Sequence, residues 1–160
     1  LNAVDAAFYA AAPLVAGALG NWVSGWLVDI IYKSGKWQLS RKLPAMIGFF
    51  LAATGLIASL YMDSVNGAIF FVSIAIFGAD MTLPPSWSFT VDVGRKNAGG
   101  VSGTMNMAGN VGSFVTALAF PYLMSWTGSP VPFFIVASIL NAIAIGLWLM
   151  TKPDKPIEEY

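Results

Sequence analysis

The chain has no cysteine and no histidine, and only eight basic and eight acidic residues among 160. Without Cys or His there is no thiol nucleophile, no zinc site of the usual ligands and no Ser-His catalysis to assemble. Neither a metal centre nor a cofactor is expected, and the chain does not read as an enzyme. Net charge is zero, so no bulk field draws it to nucleic acid. A basic leader is missing too: the chain opens at Leu1 in an apolar context and reads as a piece of something longer. What remains is apolar. Hydrophobic residues make up 57% and mean hydropathy is +0.71.

The scarce charges leave long gaps. Residues 6–28 (23 residues), 43–62 (20 residues) and 97–151 (55 residues) carry none. A bilayer core about 30 Å thick needs roughly 20 apolar residues in a helix, so these are membrane-spanning lengths. The expected class is an all-α integral membrane protein. Five transmembrane helices are predicted, at about 6–31, 43–62, 67–91, 98–124 and 133–151, with a polar tail over 152–160. Pro44 is read as a first-turn residue of the second span, and Pro84-Pro85 as an interruption of the third. All eight basic residues fall in the loops 32–42 and 92–97 and in the tail, and none in 1–5, 63–66 or 125–132. The positive-inside rule therefore puts the C-terminus in the cytoplasm, as in a multi-pass protein of the cell (inner or plasma) membrane. Small residues every fourth position, Ala12, Ala16, Gly20 and Ser24, then Gly99 and Gly103, predict helices packed against helices.

Polar groups inside such spans carry the functional signal. Asp80 sits mid-span, where a charge costs about 2.5–3.5 kcal/mol on insertion scales. It shares a helical face with Ser73, Pro84 and Trp87, beside the broken helix. Interrupted membrane helices point to transporter binding sites. Asp80 is thus a candidate for lining a site or coupling to a proton or cation, or else a buried group bonding a neighbouring helix. On the fourth span Ser102, Asn106, Asn110 and Ser113 recur at helical spacing. Their amides can bond a polyhydroxylated or carboxylated solute, or glue helices together. Gly25-Trp-Leu-Val-Asp29 precedes a basic loop ending Arg41-Lys42. Asp29 lies at a helix C-terminus, where the dipole disfavours it, and needs a partner: Arg41, Lys42 or another helix start. Such a bond can be made in one conformation and lost in another. Gly100-Val-Ser-Gly103 has the spacing of an intramembrane serine protease motif but no His to serve it.

In order, these motifs resemble the C-terminal half of a major facilitator superfamily transporter, leaning toward the anion:cation symporter family. Gly25–Asp29 with Arg41-Lys42 is similar to that family's loop between helices 8 and 9. Pro85-Ser86-Trp87 through Asp92 to Gly99 is similar to helix 10 and its loop, and Ser102-Gly103, Asn106, Gly109-Asn110, Gly112 and Pro121 to helix 11. The resemblance implies a partial six-helix bundle, helices 8–12, whose N-terminal half is missing here. It implies alternating-access transport of a small organic anion such as a sugar acid, coupled to a proton or sodium. Asn106 would then bond substrate, with Trp87 and Ser86 beside it; Gly25, Asp29, Arg41 and Lys42 would serve the gate. The alternative reading is a non-catalytic membrane subunit acting as a helix-packing scaffold.

Overall fold

A computed structural model describes residues 3–157, with side chains from residue 6 onward. Its elements are helices α1 (Ala3–Lys33), α2 (Trp37–Ser59), α3 (Val65–Met81), α4 (Leu83–Gly94), α5 (Ala98–Thr127) and α6 (Val131–Met150), with a single 3-10 turn at Arg95–Asn97. No strand occurs among the described residues.

The helix ends follow local chemistry. Gly35 stops the first helical run with φ +83, its N–H reaching the Tyr32 carbonyl at 3.0 Å, a left-handed cap that glycine adopts without a Cβ penalty. Ser64 caps α3, its Oγ accepting from the Gly67 N–H at 3.1 Å. Gly128 closes α5 with φ +69. The basic loop is shorter than predicted: Trp37–Lys42 are helical, so Arg41 and Lys42 project from the first turns of α2 rather than from a loop. Pro44 consequently lies in the third turn of α2, not the first, where it is fully buried.

The third predicted span is divided. Proline favours the first turn of a helix, and Pro84-Pro85 start α4, so the break falls at Thr82 rather than at the prolines themselves. Pro85 has no N–H to give the Met81 carbonyl four residues back. Ser24 of α1, 0% exposed, supplies the missing donor: its Oγ bonds Met81 O at 2.5 Å. The chain then reverses at the 3-10 turn, where Arg95 takes a positive φ of 44°, so that α5 packs back along α4.

Among the described residues four helical segments are long and apolar enough to cross a bilayer, and the third of them, Val65–Thr127, contains both the break and the reversal. Tyr9 at the start of α1 donates to Asn66 Oδ1 at the start of α3, at 2.7 Å, so α1 and α3 run parallel in direct contact, with α2 antiparallel to both. At the opposite end Arg41 of α2 meets Asp92 of α4, Lys42 donates to the Leu149 carbonyl of α6 at 3.2 Å, and Ile157 of the tail donates to the Val93 carbonyl at 2.8 Å. The basic segments thus gather at one end of the bundle.

Packing rests on small residues rather than on a large apolar core. A Cβ on Gly20 would collide with the Phe77 carbonyl, and one on Gly78 would stand 2.5 Å from the Gly48 carbonyl and 2.7 Å from the Ala52 nitrogen. Half of the buried apolar side chains are alanines, Ala45, Ala52 and Ala75, beside Val28, Met81 and Val93. Close backbone approach of this kind is how helices associate where lipid removes the hydrophobic drive. The row Gly99–Gly103 behaves otherwise. A Cβ at either position meets nothing, and α5 has no buried residue. Within this chain those glycines pack against no helix.

Candidate functional site

Helices α4 and α5 enclose a hollow of about 450 Å³, lined by Leu83, Ser86 and Trp87 on one side and Met105, Asn106, Gly109, Asn110 and Ser113 on the other. Its depth comes from the sequence. The prolines begin a fresh helix that carries Ser86 and Trp87 outward together, while Asn106, Asn110 and Ser113 recur about every turn of α5. Beyond the hollow, Thr90 and Ser102 share a hydrogen bond of 2.9 Å that ties the two helices together.

The polar groups of the hollow are neutral and unevenly committed. Ser86 donates its hydroxyl to the Thr82 carbonyl at 2.6 Å, which leaves its oxygen as an acceptor. Asn110 donates Nδ2 to the Asn106 carbonyl at 3.0 Å, leaving its own carbonyl oxygen available. Asn106 itself is exposed, with no side-chain partner among the described residues, so its amide offers both donor and acceptor. A wall with uncommitted donors and acceptors but no charge suits a hydroxylated or carboxylated solute. It cannot by itself neutralise an anion.

Asp80 does not line this hollow. Its carboxylate lies against Gly17 of α1, where a Cβ would overlap Oδ2. Ser73, on the same face of α3, lines a separate hollow with Phe8, Tyr9, Ala12 and Asn66. The face predicted to join Asp80 with Trp87 is therefore split: the break at Thr82 turns Trp87 toward α5 while Asp80 stays on α1.

At the basic end, Arg41 Nε bonds Asp92 Oδ2 at 2.7 Å, with side chains 11% and 25% exposed. The guanidinium also reaches Ser40 Oγ at 3.0 Å and lies over the Tyr32 ring, 5.2 Å from its centroid. A planar, always-charged guanidinium can serve all three contacts at once. Asp29 is exposed and has no partner among the described residues. The expected pairing of Asp29 with Arg41 or Lys42 is thus replaced: Arg41 is held by Asp92, and Lys42 by the end of α6. Gly25 meets nothing that a Cβ would touch.

No family model matches the chain, and no solved structure does. Curated proteins do. The chain is 34% identical to the probable sulfoacetate transporter SauU of Cupriavidus necator, over 96% of its own length and 37% of the relative's. It is 28% identical to the probable galactarate/D-glucarate transporter GudP of Escherichia coli, over 96% of the chain and 34% of that protein. A probable chloroplastic anion transporter of Oryza sativa is 27% identical over 88% of the chain and 26% of its own length. The chain is a homologue of anion transporters. That agrees with the resemblance to the anion:cation symporters of the major facilitator superfamily carried by its motifs. The chain spans between about a quarter and somewhat over a third of the length of these relatives. They are named as transporters, not enzymes, and with its apolar helices the chain is a multi-pass membrane protein.

Set beside these anion transporters, the residues singled out in sequence fall into three places. Ser86, Trp87, Asn106 and Asn110 come together in the α4–α5 hollow. Arg41 and Lys42 join the basic end, without Asp29 and Gly25. Asp80 stands apart. Sequence reasoning missed Asp92 as the partner of Arg41, 51 positions away, and Thr90 as the partner of Ser102. The signal available for Asp92 was a lone carboxylate beside Arg95-Lys96, in a segment placed on the same side of the membrane as the loop 32–42.

Proposed function

We propose that this chain is the C-terminal part of a secondary active transporter for a small organic anion such as a sugar acid, working by alternating access with a proton or sodium gradient. One observation carries the reading. In a homologue of anion transporters, two amides, two serines and a tryptophan converge on one open hollow beside a broken helix. In this account α3 and α4 together form one crossing, so the chain crosses five times in a partial six-helix bundle, with its C-terminus in the cytoplasm. Asn106 bonds a substrate hydroxyl or carboxylate, Ser86 and Asn110 accept from hydroxyls, and Trp87 covers an apolar edge of the solute. Positive charge for the anion comes from the opposite, N-terminal half, because this wall has none. The contact of Arg41 with Asp92 fastens the cytoplasmic ends of α2 and α4 in one conformation and parts in the other. Alone, the 160 residues provide one wall and one side of the gate, and do not transport.

The test is uptake into proteoliposomes containing the full-length transporter, with hexuronates, aldonates, aldarates and sulfoacetate offered in turn. Saturable, gradient-driven uptake of at least one is expected. Failure to accumulate any of them, with correctly inserted protein, would refute the reading.

A further inference from the structure

Among the described residues Asp80 is the one ionisable group in the middle of the bundle, and the substrate hollow does not use it. The run Val65–Gly94 holds α3, Thr82 and α4, and Asp80 lies at its centre. Every element packed on that point is free of other ionisable groups there. On α1 the nearest are Tyr9, Asp29 and Tyr32, each at least two turns from Gly17; on α2 residues 43–60 contain none; on α4 Asp92 is three turns away and already bonded to Arg41. Asp80 has no side-chain hydrogen bond or ion pair among the described residues, and it is only half-buried. The surface it lies against is the bare backbone of Gly17, with the Ile76 side chain next to the same glycine. Nothing in that setting offsets a negative charge, which at this depth costs about 2.5–3.5 kcal/mol on insertion scales.

We propose that Asp80 is a proton-binding site at the α1–α3 crossing, distinct from the α4–α5 hollow, and that Gly17 is the positioning residue that makes room for it. This rests on the transporter reading above and names its coupling ion. A proton fits better than sodium. It needs a single carboxylate, whereas a hard metal cation needs several oxygen ligands converging on it, and among the described residues Asp80 shares no hydrogen bond with a second polar side chain. Proton binding is written simply: Asp80 takes one proton onto a carboxylate oxygen and becomes neutral, and releases it again without any other bond changing. A hollow lies on the same face of α3, about two turns nearer the end of the bundle. The hollow lined by Tyr9, Ala12, Asn66 and Ser73 opens at the end of the bundle remote from the basic residues. Ser73 is seven residues, about two helical turns, from Asp80.

The position also explains how a proton there would be felt at the substrate. Asp80 is the last residue but one of α3, and the next carbonyl, that of Met81, is held by Ser24 of the same α1. Beyond the break at Thr82, α4 carries Ser86 and Trp87 into the hollow. A charge on Asp80 opposes close contact with Gly17. A neutral Asp80 permits it. The α1–α3 contact that sets the start of α4 is thereby tied to protonation.

The experiment uses the full-length transporter in proteoliposomes, comparing wild type, Asp80→Asn and Asp80→Glu for uptake driven by an imposed proton gradient and for substrate exchange without any gradient. In wild type an inwardly directed proton gradient should raise initial uptake severalfold. Asp80→Asn should abolish that stimulation while exchange persists, and Asp80→Glu should retain part of it. Gradient stimulation of Asp80→Asn equal to wild type would overturn the proposal. So would wild-type uptake driven by a sodium gradient and indifferent to protons; in that case transport itself would stand. Should Asp80→Asn fail to insert, Gly17→Ala decides: it should shift the pH dependence of exchange, and an unshifted profile would count against the site.

Discussion

Removing the Arg41 guanidinium tests the gate most sharply. In the structure Arg41 reaches Asp92 at 2.7 Å with both side chains largely shielded, and it covers the Tyr32 ring at 5.2 Å. Exposed ion pairs contribute about 0.2–1 kcal/mol and breaking a buried one costs about 3–5 kcal/mol. A pair at 11% and 25% exposure falls between, at about 1–3 kcal/mol. The cation–π contact adds about 0.5–1 kcal/mol. If these contacts exist only in the conformation closed to the cytoplasm, Arg41→Ala removes about 1.5–4 kcal/mol of preference for it, and each 1.4 kcal/mol is a factor of ten in population. The assay is the rate at which a membrane-impermeant maleimide, applied from the cytoplasmic side, labels a cysteine placed at Ser113, on a cysteine-free background of the full-length protein. Labelling should accelerate by about tenfold or more in Arg41→Ala. Asp92→Ala should do nearly the same, and the double variant should add little to either, because both remove one shared interaction. Equal rates in all four proteins, or strictly additive effects, would refute the latch.

Two further expectations concern the frame that holds the hollow. Gly78→Ala should lower the thermal midpoint of the full-length protein in detergent, because its Cβ meets the Gly48 carbonyl at 2.5 Å and overpacking of this kind costs about 1–3 kcal/mol. Gly99→Ala, in open space on α5, should leave the packing of this chain unchanged in the same measurement. Ser24→Ala should cost about 1 kcal/mol by stranding the Met81 carbonyl, in keeping with hydrogen bonds between membrane helices. Ser24→Thr, which keeps the hydroxyl, should recover part of that loss; a midpoint unmoved by Ser24→Ala would mean that the broken helix has no need of α1.

Much of this architecture is legible in the chain because membrane insertion reads coarse quantities. Charge-free lengths mark the apolar helices, and the grouping of all basic residues anticipates the end of the bundle where Arg41, Lys42 and the tail meet. The prolines announce the break, and helical spacing on α5 brings Asn106, Asn110 and Ser113 into one hollow with Ser86 and Trp87. What local pattern cannot carry is azimuth after a break. Proline sets where α4 begins, but the turn at Thr82 decides which way Trp87 points, and it separates Trp87 from Asp80. Partner choice is equally non-local. Arg41 lies closer in sequence to Asp29 than to Asp92, yet extension of α2 back to Trp37 carries it toward α4. The same holds for glycine: Gly99–Gly103 has the spacing of a packing motif and meets nothing in this chain, whereas Gly17, outside any row singled out beforehand, faces Asp80.

The most direct measurement of the central claim is the concentration dependence of sugar-acid uptake by the full-length transporter, wild type against Asn106→Ala, at matched amounts of inserted protein. A KM raised about tenfold is expected, from the loss of one or two hydrogen bonds at about 0.5–1.5 kcal/mol each, with exchange still measurable. An unaltered KM would contradict it, because the hollow between α4 and α5 would then not be where the anion binds.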